Sequence, residues 1–418
     1  MVAALPSFPE AARAVYDYAA QLLAHAPRLE RVPLQAATGR ILARPIRADR
    51  DMPAFSRSTR DGFAVRAREA SAGEWLHVRG SIRAGQAPAG PLPAVSAWEI
   101  MTGAAVPEGA DAVAMLEHVE SAHGENEASR IRLAHRRKLN GGENVVSAGA
   151  EAHAGEELVA AGSCLGCSQI AAAATCGYDK VDVFARPRVA ILTTGDELVP
   201  VGETPGPSQI RNSNALMLAA LVNQSGGDAW VLPVVRDESK AIASALQSAM
   251  QADMLLISGG VSAGKFDLVE PVLSQLGARF HFTGVRMQPG KPLVFGEIDR
   301  GGVVVPLFGL PGNPISSAAT YLLFASAVLR GLAGVQQPAP HFAAAQLSRE
   351  ARGKPNLTRF IPSAVTSDPL SGELAQVAPV PWQGSGDLAA FARANCFIVV
   401  PEGTDRLAEN DVARILPI

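Results

Sequence analysis

Between Val189 and Arg330 short runs of Val, Ile and Leu alternate with longer amphipathic stretches, and this alternation limits the fold more than any other feature. VAILTT (189–194), AWVLPVV (229–235) and residues 253–257 read as strands, with helices expected over 213–225, 238–251 and 268–276. Further strands are expected near 280–285, 293–298 and 303–308, then a helix over 314–330. Apolar strands separated by helices predict a mostly parallel sheet covered on both faces, a three-layer α/β domain.

The flanks have a different texture. Ser7 and Glu10 stand at capping-box spacing, and Val15, Tyr18, Ala19 and Leu22 then share one face, so a helix is expected over 7–26. From about 46 to 140, short β-like runs (GFAV, WLHV, WEIM, DAVAML, SRIRL) are broken by Gly, Pro and acids, as in a small β-rich domain. The apolar LGCSQIAAAATCG within 155–180 reads as a buried helix. QQPAPHF (336–342) reads as a linker, and AAQLS, TRFIPSAV, CFIVV and VARILP as a terminal β module. A length of 418 residues fits about three domains.

Charge and cysteine content narrow the function classes. A net charge of −3 argues against a nucleic-acid partner held by bulk electrostatics. No uninterrupted apolar run is long enough to span a bilayer, so no membrane partner is expected. Four scattered cysteines do not make a secreted disulfide scaffold, and the N-terminus lacks a signal-peptide pattern. A cytoplasmic location is the expectation.

Ligands of an open parallel sheet sit outside the carboxyl ends of its strands. Gly195-Asp196-Glu197 follows the first strand, and Arg236-Asp237 the second, where Asp237 is also placed to cap the next helix. Ser258 to Asp267 follows the third, and Pro311-Gly312-Asn313-Pro314 follows the last. There Asn313 fits an N-cap and Pro314 a first helical residue. Met287 to Pro292 lies between two strands nearby. Glycines at this edge let backbone N–H groups approach an anion, yet Glu197, Asp237 and Asp267 would repel a phosphate. A divalent cation between them reconciles the two, since Mg²⁺ takes one or two carboxylates plus phosphate oxygens.

LLISGGVSAGKFD (255–267) touches two better-known patterns. Gly260 to Gly264 spells the G-x-S-x-G of a nucleophile elbow around Ser262, but downstream only His281, in a predicted strand, and His341, in the linker, could complete a triad. Gly259 to Lys265 spells a phosphate loop until Phe266 replaces the metal-binding hydroxyl. Gly384 to Ala389 matches a dinucleotide fingerprint without a preceding strand and is read as chance. Cys164-Leu-Gly-Cys167 has metal-like or redox spacing, but no second pair follows, and buried core thiols are expected. The eight histidines never pair at metal-ligand spacing.

Assembled in order, the motifs run along nearly the whole chain: STRDGFAV (58–65), MTGAAVPEGADAV (101–113), LTTGDEL (192–198), RNSN (211–214), VVRD (234–237), SGGVSAGKFD (258–267), MQPGKP (287–292), GLPGNPIS (309–316) and NCFIVVPEG (395–403). In this order and spacing the chain resembles the MoeA-type molybdopterin molybdenumtransferases, the family that includes the gephyrin E domain.

The resemblance implies an α/β multidomain fold. Residues 1–46 with 146–185 would form a discontinuous helical linker domain and 47–145 an inserted β-rich domain. Residues 186–335 would be the molybdopterin-binding α/β domain, and 336–418 a β-barrel-like C-terminal domain. It implies a homodimer whose shared cleft binds adenylylated molybdopterin and molybdate, with Mg²⁺, and releases AMP and molybdenum cofactor. Docking of a molybdopterin adenylyltransferase is left open, as is a non-catalytic scaffold role.

Carried over by motif, Asp61 and Thr102 would line the cleft, and Glu197, Asp237 and Asp267 would hold Mg²⁺. Ser258, Gly259, Gly260 and Ser262 would contact the nucleotide, beside Gly312, Asn313 and Pro314. Lys291, Pro292, Ser316 and Ser385 would help hold molybdate or the pterin phosphate. Two departures stand out. Gln288 occupies a position where most relatives carry Lys, and the linker motif is reduced to Ser147-Ala-Gly149-Ala-Glu151. Arg359 is the nearest candidate for a C-terminal arginine in oxyanion binding.

Overall fold

The computed structural model describes residues 4–22, 28–124, 127–134, 137–260, 268–368, 370 and 372–418. At its centre is a six-stranded sheet in the order Asp228–Val231, Arg188–Thr193, Met254–Ser258, Val304–Leu310, Val294–Asp299, Arg279–Thr283. The first four are parallel, as the apolar runs predict. The last two run antiparallel and convert one edge into a meander. Arg279–Thr283 alternates exposed and half-buried residues, the signature of an edge with one wet face, whereas Met254–Ser258 is buried throughout.

Helices cover both faces, including Ser213–Gln224, Ser239–Ala249 and Val269–Gln275. The expected helix over 314–330 is a continuous element from Pro314 to Leu332 with a π-helical turn at Tyr321–Ala325. It has the length and apolarity to cross a membrane, but 83% of it is buried within the fold, so it is a core helix. Tyr321 and Phe324 are fully buried there.

The Ser7–Glu10 capping box forms as the spacing predicts. The Ser7 N–H donates to Glu10 Oε2 at 2.8 Å, and the Glu10 N–H donates to Ser7 Oγ at 3.4 Å. The helix it starts, Phe8–Leu22, buries Phe8, Ala11, Ala12, Val15 and Ala19. That face packs against the Pro314–Leu332 helix, in the α/β core rather than the linker core. Gly331 makes the approach feasible, because a Cβ there would collide with the Ala19 carbonyl. The linker has its own small core around Leu34, Leu42, Ile46, Val159, Ala173 and Val183. Strand pairs carry as much of it as helix: Leu29–Pro33 pairs with Lys180–Phe184, and Ile46–Arg47 with Glu157–Val159.

The inserted β-rich segment is a six-stranded sheet in the order Ala112–Met115, Gly62–Val65, Ser96–Ile100, Leu76–Ile82, Glu127–Leu133, Val119–Gly124. In the C-terminal module, Thr358–Thr366 pairs with Gln376–Pro379 and also with Cys396–Val400, which curls the sheet towards closure. Met287–Gln288, which belongs to the α/β segment in sequence, adds to this sheet in parallel with Thr358–Thr366. That pairing stitches the two domains together and sets Gln288 in register with Arg359.

Cys176 and Cys396 are buried, but Cys164 and Cys167 are exposed, contrary to the expectation of core thiols. The reason is local. Cys164 lies on an isolated bridge to Ile41, Cys167 opens the Cys167–Thr175 helix, and only Ala173 of that helix is fully buried.

Candidate active site

Along the carboxyl edge of the parallel strands lies a cavity of about 960 Å³. Glu197 and Asp237 face it from the first two loops, Ser258, Gly259 and Gly260 from the third, and Gly312, Asn313 and Pro314 from the last. Ser262 and Asp267 lie outside the described residues.

Each loop takes its shape from its residues. Gly259 has φ +96°, and a Cβ there would stand 2.5 Å from the Thr194 carbonyl oxygen, so only glycine lets the third loop pass the first. The Asn212 side chain caps the Ser213–Gln224 helix through the Ala215 N–H and also donates to Thr193 Oγ1 at 2.8 Å. Asn214 then spans the site. Its Nδ2 donates to Ser258 Oγ at 3.0 Å and to the Gly312 carbonyl at 2.7 Å, fixing the separation of the two glycine loops. Asn214 belongs to the RNSN motif, but nothing in its spacing announced this bridge.

Two capping expectations change. Asp237 does not cap the helix after it; that helix is Ser239–Ala249, and its N-cap position is held by Glu238 with no side-chain cap. The Asp237 carboxyl is thereby left facing the cavity. Asn313 does occupy the N-cap position before Pro314, but without a side-chain cap bond. Its Nδ2 donates instead to Ser385 Oγ at 3.0 Å, and the Ile315 N–H donates to the Ser385 carbonyl. A C-terminal-domain loop is thus latched onto the start of the core helix.

That latch closes a second cavity, of about 420 Å³, lined by Gln288, Lys291, Pro292, Ser316, Arg359 and Ser385 among others. Pro292, Pro311 and Asn313 line both cavities, so the two compartments adjoin. Gln288 Oε1 and Arg359 Nε are buried there without a hydrogen-bond partner, while Arg359 Nη1 donates to the Arg352 carbonyl at 2.8 Å. Burial pushes the Arg359 guanidinium below its ordinary pKa. A half-buried guanidinium with an unpartnered Nε–H, on the same cavity as Lys291, makes a compartment able to take an oxygen-rich anion, whereas Gln288 Oε1 is an acceptor and does not add to it.

The first compartment has the opposite charge. Burial raises the Asp237 carboxyl above its usual range, the nearby Thr194 side chain pulls the other way, and Asp196 and Glu197 raise it further. Among the described residues no three His, Cys, Asp or Glu side chains stand close enough to share one ion. Glu197 and Asp237 nevertheless supply hard oxygen donors with an excess of negative charge, which fits Mg²⁺ and its usual one or two carboxylates.

Asp61 and Thr102 come together on the inserted β segment but line neither cavity. The Glu151 carboxylate of the reduced linker motif pairs with Arg57 at 2.7 Å and so ties the linker to the β segment.

Comparison with known proteins places this architecture. Residues 7–177 match the MoeA N-terminal region (domain I and II), 190–331 a probable molybdopterin binding domain, and 344–418 the MoeA C-terminal region (domain IV). The chain is 35% identical over 396 residues to the molybdopterin molybdenumtransferase of Bacillus subtilis, covering 93% of this chain and 90% of that one. The chain belongs to the MoeA family.

Other MoeA relatives agree. The Nostoc molybdopterin molybdenumtransferase is 36% identical over 337 residues, covering 79% of this chain and 75% of its own length. A solved molybdopterin biosynthesis MoeA protein from Pyrococcus horikoshii superposes with a TM-score of 0.81 at 26% identity, covering 99% of this chain and 100% of that chain. The MoeA fold therefore extends over nearly the whole chain.

Proposed function

We propose that this protein is a molybdopterin molybdenumtransferase that takes adenylylated molybdopterin and molybdate and releases AMP and molybdenum cofactor. One observation carries the reading: an acidic, glycine-lined compartment adjoins a cationic one at Pro292, Pro311 and Asn313. The first suits a nucleotide and its metal. The second suits a tetrahedral oxyanion.

In this reading the glycine loops at 258–260 and 312 hold the adenylate, kept at a fixed separation by Asn214. Lys291 and Arg359 offset the charge of molybdate and of the pterin phosphate, with Ser316 and Ser385 as neutral donors. Glu197 and Asp237, with Asp267 as the third acid, would hold Mg²⁺. Bound there, the ion supplies Lewis-acid polarisation of the phosphoanhydride. Asp61 and Thr102 would reach the reaction from the second subunit of a cytoplasmic homodimer, since they stand apart from both cavities of their own chain.

The deciding experiment is incubation with adenylylated molybdopterin, molybdate and Mg²⁺, with AMP and cofactor measured. Well-folded protein that releases no AMP above background overturns the reading. Molybdopterin binding without release would then identify a scaffold relative.

A further inference from the structure

The central sheet has a second feature at its opposite edge. Pro187, Asp253 and Val304, at the amino ends of three parallel strands, line a cavity of about 580 Å³, within the range of small-molecule sites. Its floor is apolar, made by Leu22, Leu332 and Val303 to Val305. Its mouth carries Arg28, Arg186, Arg279 and Arg300.

One wall is built around a buried carboxylate that the proposed reaction does not use. Glu297 lies in the apolar Val294–Asp299 strand and is 5% exposed. It accepts a hydrogen bond from Arg279, His281 Nε2 stands 3.5 Å away, and Tyr18 lines the same cavity. A carboxylate in such a strand is costly unless paired. Here the pairing also fixes Arg279 and His281 against the cavity, with the imidazole stacked on Phe295. Arg300 is anchored through the Met250 carbonyl, and Asp253 is engaged by Arg28 at 3.5 Å. Four guanidiniums thus face two carboxylates that already have partners, and Arg186 and Arg300 have no acidic partner among the described residues. The mouth keeps a positive surplus above an apolar floor.

We propose that this cavity binds a small organic anion, its oxyanion head at the arginines and its apolar body on Val303 to Val305, Leu22 and Leu332. The site is separate from the molybdenumtransferase compartments and does not depend on that reading.

Calorimetry on the full-length protein with octanoate, octyl phosphate and 1-octanol tests it. One anion per chain is expected, the tighter of octanoate and octyl phosphate naming the head group, with 1-octanol at least about tenfold weaker. Replacing the exposed Arg186→Ala or Arg300→Ala should weaken the anion by about tenfold, as loss of a charge-assisted bond does. Val304→Trp, which fills the floor, should abolish binding, and Lys291→Ala, in the other compartment, should leave it intact. The proposal is overturned when neither anion binds, when 1-octanol binds as tightly, or when binding survives Val304→Trp or vanishes in Lys291→Ala.

Discussion

Asp61 Oδ1 accepts two hydrogen bonds from a single residue, from the Thr102 N–H at 2.7 Å and from the Thr102 hydroxyl at 2.9 Å. Together these hold the Asp61 carboxyl below the usual carboxylate range, the backbone bond contributing more than the hydroxyl. Thr102 follows the Ser96–Ile100 strand and Asp61 precedes Gly62–Val65, its antiparallel neighbour, so the pair is fixed by strand register. The pair presents an oriented anion on an exposed surface outside both compartments of the α/β domain, as the proposed two-subunit cleft requires.

Thr102→Val tests whether that orientation matters. The N–H bond is retained and the hydroxyl bond lost, so the Asp61 titration, followed by NMR, should move up towards the ordinary value. A depressed carboxylate pKa favours folding only above the unfolded value, and that contribution is lost as pH falls through the folded one. Any stability loss in the variant is therefore present at neutral pH and vanishes in acid, so its melting temperature should be lower than the parent's at neutral pH and match it at low pH. AMP release should fall as well. An unmoved Asp61 titration would show that the backbone bond alone orients it.

Asn214→Ala removes the brace between Ser258 and Gly312. Gly312 is exposed, so water takes the place of the lost donor and urea unfolding should change by no more than about 0.5–1.5 kcal/mol. Because the brace sets the distance between two loops rather than touching reacting atoms, KM for the adenylylated substrate should rise more than kcat falls. A pure kcat loss would place Asn214 in the chemistry itself.

Asp237→Asn separates metal binding from folding. The Asp237 pKa is raised in the folded protein by burial and by Asp196 and Glu197. Its protonated form therefore favours the fold below the ordinary value, and this contribution is lost as pH rises through the raised one. At neutral pH the asparagine variant should melt higher than the parent without metal, and the difference should vanish in acid. Added Mg²⁺ should stabilise the parent and leave the variant unmoved while abolishing the gain over it. Equal Mg²⁺ stabilisation of both proteins would remove Asp237 from the metal site.

Much of the α/β domain was legible because its signals are local. A strand such as Met254–Ser258, buried on both faces, is a continuous apolar run, and the loop after it shows its glycines openly. The packing of the Phe8–Leu22 helix was not legible, since amphipathicity gives the apolar face but not the partner, and Gly331 lies more than three hundred residues away in sequence. Nor was the oxyanion compartment. It exists only where Ser385 latches Asn313 and where Met287–Gln288 joins the Thr358–Thr366 strand, contacts between segments that no spacing relates. Asp237 shows the converse, a residue whose local capping signal was sound but was overridden by the site.

Gln288 offers the sharpest test of the oxyanion compartment. It pairs in register with Arg359, and Gln288 Oε1 and Arg359 Nε are both buried without partners. Gln288→Lys would put a cation beside Arg359 and near Lys291, all three on one cavity. Without ligand, burial and like charge both disfavour this cation, so the variant should melt lower than the parent. With molybdate present the new charge gains a counterion, and KM for molybdate should fall by about tenfold. The two effects are linked, because an anion that binds the folded state more tightly must also stabilise it more. Molybdate should therefore raise the melting temperature of the variant more than that of the parent. A variant that is destabilised yet shows unchanged molybdate KM would mean that the oxyanion binds elsewhere.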